Sequence, residues 1–276
     1  MDSFLSHADL AWLVAALIAG GLVTGVLAGL FGVGGGGILV PVLYELFRVI
    51  EVEESARMHL AVATSLAIII PTSLRSFRSH HKRGAVDMAV IRALGPPVAV
   101  GVLLGAAIAA FVDGWFLKLV YVVSAVTLSV KFLAGGDRWR LSSDLPGEPV
   151  NSAVGAVIGA ISTLIGIGGG VYVSSYMALF GRPIHQAVAT SSGFGPIIAV
   201  PAVIGYVIAG WNAPDLPPAS LGYVSLIGAA IVAPMSVLAA PIGVCIAHGA
   251  SRRTLEIAFG VFLAAVATRF AIDLAF

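Results

Sequence analysis

From Leu10 to Tyr44 the chain runs for 35 residues without one Asp, Glu, Lys or Arg. Stretches of the same kind recur at Met58–Leu74 (17 residues), Ala93–Val112 (20), Pro149–Gly181 (33), Pro183–Pro214 (32) and Leu216–Ser251 (36). Two more apolar blocks, Trp115–Ala134 and Thr254–Ala271, are interrupted only by charges near their ends, which can snorkel to an interface. A membrane-crossing helix needs about 20 apolar residues, so these blocks leave room for little but short loops. Composition agrees: 11% of the 276 residues are charged and 59% hydrophobic, with mean hydropathy +1.02, against about 25% charged in a soluble domain. The reading is an all-α integral membrane protein in a cell membrane, with no soluble domain. A net charge of +1 excludes the basic face of a nucleic-acid binder, and a single cysteine, Cys245, excludes a disulfide framework. Residues 1–9 carry Asp2 and Asp9 and no Lys or Arg, so a cleavable signal is not expected.

The chain matches itself. Gly21, Gly25, Gly32, Gly34, Gly35 and Gly36 fall on Gly155, Gly159, Gly166, Gly168, Gly169 and Gly170 at a constant offset of 134. The H-x-A-V-A-T-S heptad at His59–Ser65 falls on His185–Ser191 at an offset of 126, and Gly105, Leu117 and Lys131-Phe132 fall on Gly243, Leu255 and Arg269-Phe270 at 138. The matches are collinear. They define a first repeat over residues 1–136, a linker over 137–148 and a second repeat over 149–276.

Charge bias orients the repeats. The loop after the second block carries Arg75, Arg78, Lys82 and Arg83, which places it in the cytoplasm, while its counterpart near Trp211–Pro218 has no basic residue. The loop near Asp113 is poor in basic residues, while its counterpart holds Arg252 and Arg253. The sign reverses twice, as inverted-topology repeats require. Inversion needs an odd number of crossings per repeat, yet each repeat has four blocks. The glycine-bearing blocks are the candidates to dip in and return, since 33 or 35 residues of continuous helix would run about 50 Å against a hydrocarbon core of about 30 Å. The expectation is a re-entrant hairpin in each repeat, broken at the glycines into arms of about 15 residues.

Each glycine in Gly29–Gly37 and Gly166–Gly170 costs about 1 kcal/mol of helix stability relative to alanine, so the runs break the helix. The arm that resumes presents free N–H groups and a positive dipole end, an anion site without a charged side chain. This makes Gly34, Gly35, Gly36, Gly37, Gly168, Gly169 and Gly170 candidate substrate-binding residues. For Gly21, Gly25, Gly101 and Gly105, close helix packing is the expected role. The duplicated hydroxyls Thr64, Ser65, Thr190 and Ser191 are candidate donors to an oxyanion, against the ordinary alternative of a bond to their own helix carbonyls. His59 and His185 sit near segment ends, where tying a helix end outweighs catalysis. No Walker-type motif and no H-E-x-x-H or H-x-x-E-H set is present, so no catalytic residue, cofactor or metal ligand is assigned.

At G-L-F-G-V-G-G-G-G-I-L-V-P (29–41), H-L-A-V-A-T-S (59–65), G-I-G-G-G (166–170) and H-Q-A-V-A-T-S-S (185–192) the chain resembles the TauE/SafE sulfite exporter family. The resemblance covers essentially the whole chain. It implies a secondary permease for sulfite, sulfonates or related organosulfur and carboxylate anions, with the glycine breaks and Thr-Ser pairs as the substrate region. An uptake permease or channel for a carboxylate or other small anion is the alternative. The expected partners are the small anion and the bilayer, with a homodimer admissible and no nucleic acid. Ser174-Ser175 stand where the first repeat has Val40-Pro41, so the hairpins need not contribute equally.

Overall fold

Backbone placed in hydrocarbon has no water to bond its N–H and C=O groups, so each apolar block closes its hydrogen bonds on itself as helix. The computed structural model describes residues 7–31, 36–135, 141–142, 145–214, 216–249 and 251–275. In the first half lie α1 (His7–Phe31), α2 (Gly36–Val49), α3 (Glu54–Lys82), α4 (Met88–Phe111) and α5 (Gly114–Ala134). In the second lie α6 (Val150–Ile165), α7 (Gly170–Leu179), α8 (Ile184–Ser191) and α9 (Phe194–Ala209). These are followed by a small hairpin of β1 (Ser220–Leu221) and β2 (Val224–Ser225), then α10 (Leu226–Gly249) and α11 (Arg252–Ala275). Among the described residues, 6 helical segments are long and apolar enough to cross a membrane: α3, α4 and α5 from one half, and α8 with α9, α10 and α11 from the other. The chain is an all-α, multi-pass membrane protein.

The two glycine-bearing blocks are each split, but unequally. Arms of 25 and 14 residues flank the first break and arms of 16 and 10 the second. The long arm α1 runs through Gly20, Gly21 and Gly25 without interruption because isolated glycines only weaken a helix, and here they are used for packing. Trp12 of α1 and Val49 of α2 line one outward-facing groove of about 890 Å³ together with Arg269 of α11. In the second half the Tyr176 hydroxyl of α7 donates to Asn151 of α6 at 2.5 Å, joining the start of one arm to the far part of the other.

Between the halves, α5 and α11 run antiparallel. Lys118 near the start of α5 meets Asp273 near the end of α11 at 2.5 Å, Ser129 donates to the Gly260 carbonyl at 2.7 Å, and Arg253 donates to the Phe132 carbonyl at 2.8 Å. α3 and α9 are also antiparallel: His59 lies beside Tyr206, with ring centroids 6.4 Å apart, while Ser73 packs on Gly195. These contacts define a Lys118 end and an Arg253 end of the bundle. Trp12, Phe111, Trp115 and Trp211 all lie exposed at the Lys118 end, the position of an interfacial aromatic belt. Exposed Val100, Leu103, Leu104, Val123, Val126, Ile242 and Val261 form the apolar flanks between the ends.

The remaining long contacts are α1 on α10 and α4 on α6. A Cβ on Gly25 would stand 2.3 Å from the Ser236 carbonyl oxygen, and one on Gly159 would stand 2.1 Å from that of Val98. Residues 25 and 159 are 134 apart and 98 and 236 are 138 apart, so one glycine-on-carbonyl contact occurs in both halves. In lipid, helix association rests on packing and close backbone approach rather than on water release. Gly25→Leu and Gly159→Leu should each therefore force the helices apart and destabilise the bundle by about 1–3 kcal/mol or more. Thermal denaturation in detergent checks this, with Gly147→Ala, where nothing lies within 4 Å of the added Cβ, expected to be neutral.

Candidate functional site

The second glycine break is built from backbone. Helix α6 ends as Gly166 turns into the left-handed region (φ 69°), with its N–H and that of Ile167 both donating to the Ser162 carbonyl. Gly169, again left-handed (φ 69°), precedes α7 and donates to the Ile167 carbonyl at 2.8 Å. A side chain at either position would be strained by its φ. The first bond of α7 to reach back, Val173 N–H to the Gly169 carbonyl at 2.9 Å, leaves the N–H groups of Gly170, Val171 and Tyr172 beyond the helix ladder. No side chain caps this end. Ser162 to Gly170 are all buried.

Side chains from three helices close around the break. A Cβ on Gly166 would meet Val40 of α2 and Val62 of α3, one on Gly168 would meet Ile69 of α3, and one on Gly169 would meet the Ile198 tip of α9. Ser65 donates to the Gly166 carbonyl at 2.9 Å. Of the first-half candidates, Gly34 and Gly35 lie outside the described residues, Gly36 opens α2, and Gly37 faces Ile167, its carbonyl accepting the Tyr121 hydroxyl at 2.6 Å. The structure thus brings Gly37, Ser65 and Gly166–Gly170 together.

The other hydroxyls are used differently. Thr64, fully buried, accepts the Ser225 N–H at 3.0 Å, and Thr190, also fully buried, accepts the Asp87 N–H at 2.9 Å. Ser191 donates to the Val188 carbonyl of its own helix at 2.9 Å. Asp87 is the N-cap of α4, its carboxylate accepting from Ala89 and Val90, and the Ser225 hydroxyl accepts from Gly228 at the start of α10. Asp87 and Ser225 are 138 residues apart, and Thr64 and Thr190 are 126 apart. Each half therefore repeats one device: the motif threonine holds the residue that caps a long helix of the other half, α10 for Thr64 and α4 for Thr190. Capping residue types ahead of apolar runs at the repeat offset are the signal that could have revealed it.

His59 ties a helix end, as expected: its Nε2 lies 3.1 Å from the Ala109 carbonyl and its ring stacks on Tyr223 at 4.8 Å. The charges of the α5 block depart from the snorkelling expectation. Lys118 is only 2% exposed and is held by Asp273 at 2.5 Å and Glu54 at 3.1 Å, with the Tyr44 hydroxyl on Asp273 at 2.8 Å. A buried cation is tolerable only when paired, and pairing here joins α2, α3, α5 and α11. Among the described residues no group of three or more His, Cys, Asp and Glu is placed to hold a metal ion.

The model of the sulfite exporter TauE/SafE family matches residues 17–270, and the chain belongs to that family. It is similar to a "Probable membrane transporter protein" of Haemophilus influenzae, with 29% identity covering 90% of this chain and 94% of the relative. A second protein so described, from Methanocaldococcus jannaschii, is 27% identical over 87% of this chain and 89% of its own length. A third, from Bacillus subtilis, is 29% identical over 70% of this chain and 78% of its own. No solved structure matches. The chain is accordingly a membrane transporter.

Thr64→Val and Thr190→Val should each leave a backbone N–H without its acceptor and destabilise the protein by about 1–3 kcal/mol. Serine at either position should restore most of that loss, as read by thermal unfolding in detergent.

Proposed function

We propose that this chain is a secondary transporter that carries a small oxyanion, sulfite or a sulfonate, out of the cytoplasm, with substrate held between two inverted, glycine-broken hairpins. The repeats are residues 1–136 and 149–276, joined by a linker at 137–148. Several features support inversion. Sequence-equivalent helices α5 and α11 are antiparallel, as are α3 and α9. Among the described residues three long apolar spans fall in each half, an odd number. The shared groove of Trp12 and Val49 and the Asn151–Tyr176 bond fit arms that return to the side they entered from. The Arg253 end, where Lys82 and Arg83 close α3, is then cytoplasmic.

One observation carries the anion reading: the buried N-terminus of α7 has no capping side chain and sits where irregular backbone is tolerated only against protein or a cavity. Such an end offers N–H donors and partial positive charge to an anion. The substrate region comprises Gly34, Gly35, Gly36, Gly37, Ser65, Gly168, Gly169 and Gly170. Thr64 and Thr190 complete it by holding the starts of α10 and α4, and Ser191 belongs to it as the second member of the duplicated Thr-Ser pair. The family description supplies sulfite as the first compound to try.

In proteoliposomes the purified protein should move sulfite, and Gly168→Ala, whose new methyl would stand 2.8 Å from the Cγ2 methyl of Ile69, should slow flux several-fold while the protein still folds. Absence of sulfite and sulfonate flux with uptake of a carboxylate instead would replace the substrate assignment. In a Cys245→Ser background, single cysteines at positions 9 and 51 should be labelled from the same side of the membrane; labelling from opposite sides would rule out the first hairpin.

A further inference from the structure

Ser162, in the last turn of α6 before the glycine break, is a buried hydroxyl that has nothing to bond. It is fully buried, its Oγ has no hydrogen-bond partner, and it stands 3.4 Å from where a Cβ on Gly169, the residue before α7, would lie. A buried serine in a helix ordinarily donates to a carbonyl three or four residues earlier, as Thr163 beside it does to Gly159 at 2.9 Å. An unmade bond of this kind costs free energy in the empty protein. Next to it are the three N–H groups of Gly170, Val171 and Tyr172 beyond the helix ladder, and no side chain caps them. Donors of two kinds, one hydroxyl and a helix N-terminus, are therefore buried beside Gly169.

What surrounds that position defines the ligand. The side chains packed on the break are Val40, Ile69 and Ile198, with the Val62 backbone beside Gly166 and Ser65 already committed to the Gly166 carbonyl. The Cγ2 methyl of Ile69 and the Cδ1 tip of Ile198 cover Gly168 and Gly169, so an entering ligand has two isoleucine side chains to displace. Apolar walls without a cation beside them suit one negative charge, since a helix end supplies only about half a unit of positive charge and a second buried charge would go uncompensated. The repeat counterpart of Ser162 is Ala28, so the hydroxyl is supplied from the second half alone.

We infer that Ser162 is the side-chain donor of a site for a singly charged oxyanion, of the sulfonate or bisulfite type, at the N-terminus of α7. This rests on the anion reading above and deepens it. The test uses the full-length purified protein with methanesulfonate as a monoanion and sulfate as a dianion, and reads affinity by calorimetry and the unliganded Tm by thermal unfolding. Wild type should bind methanesulfonate more tightly than sulfate. Ser162→Ala should weaken methanesulfonate binding about ten- to a hundredfold, the loss of a hydrogen bond to a charged group, with the unliganded Tm unchanged or raised because no protein partner is lost. Ser162→Cys, a near-isosteric weaker donor, should fall between, and Ser236→Ala, which removes another unpartnered buried hydroxyl on α10, should leave binding unchanged. Equal affinity in wild type, Ser162→Ala and Ser162→Cys overturns the assignment of Ser162 while leaving the anion reading in place. Tighter binding of sulfate overturns the single-charge selectivity, and a wild type that binds no oxyanion overturns both readings.

Discussion

Every N–H and C=O of this chain that lies in hydrocarbon must find its partner inside the protein, because lipid offers none. Among the described residues helices satisfy most of that demand, and the surroundings of the second glycine break are arranged to meet it there. The Gly166 carbonyl takes the Ser65 hydroxyl, and the Ile167 and Gly169 N–H groups find carbonyls within the turn. Donors at the start of α7 are what the arrangement leaves over. In a membrane interior with few charges, they are the available positive ends.

The same solvent removes the usual driving force for helix association, so contacts must be close and specific. Gly25 on the Ser236 carbonyl and Gly159 on the Val98 carbonyl bring helix backbones together in both halves. Thr64 and Thr190 then fix where α10 and α4 begin, each by taking the N–H of the capping residue. The starts of α10 and α4 are thereby held by side chains from the other half of the molecule. The paired Lys118 does comparable work at one end of the bundle, where isolated burial of its charge would be prohibitive.

Much of this was legible along the chain. Runs of uncharged residues announced the membrane segments, and paired glycine spacings announced both the repeat and the packing role of Gly21, Gly25, Gly101 and Gly105. The threonines were recognised as special by their duplication, but not for the bond they make: Ser225 lies 161 residues from Thr64 and Asp87 lies 103 from Thr190. Lys118 read as an interfacial charge because its partner Asp273 is 155 residues away. Nothing along the chain marks Ser162, because alanine stands at its counterpart, position 28.

Local chemistry decided on its own that this chain is helical, membrane-embedded and broken at Gly166–Gly169, because hydrophobicity, charge and backbone strain act within a few residues of one another. Which groups at the break face one another depended on α2, α3 and α9 converging on Gly166–Gly169, a juxtaposition of segments more than 100 positions apart in some cases. Tertiary structure assigned Ser65 to the break, gave Thr64 and Thr190 to helix ends and left Ser162 without a partner. A hydroxyl's role is set by the donor or acceptor within about 3 Å of it, and only the folded chain determines what that neighbour is.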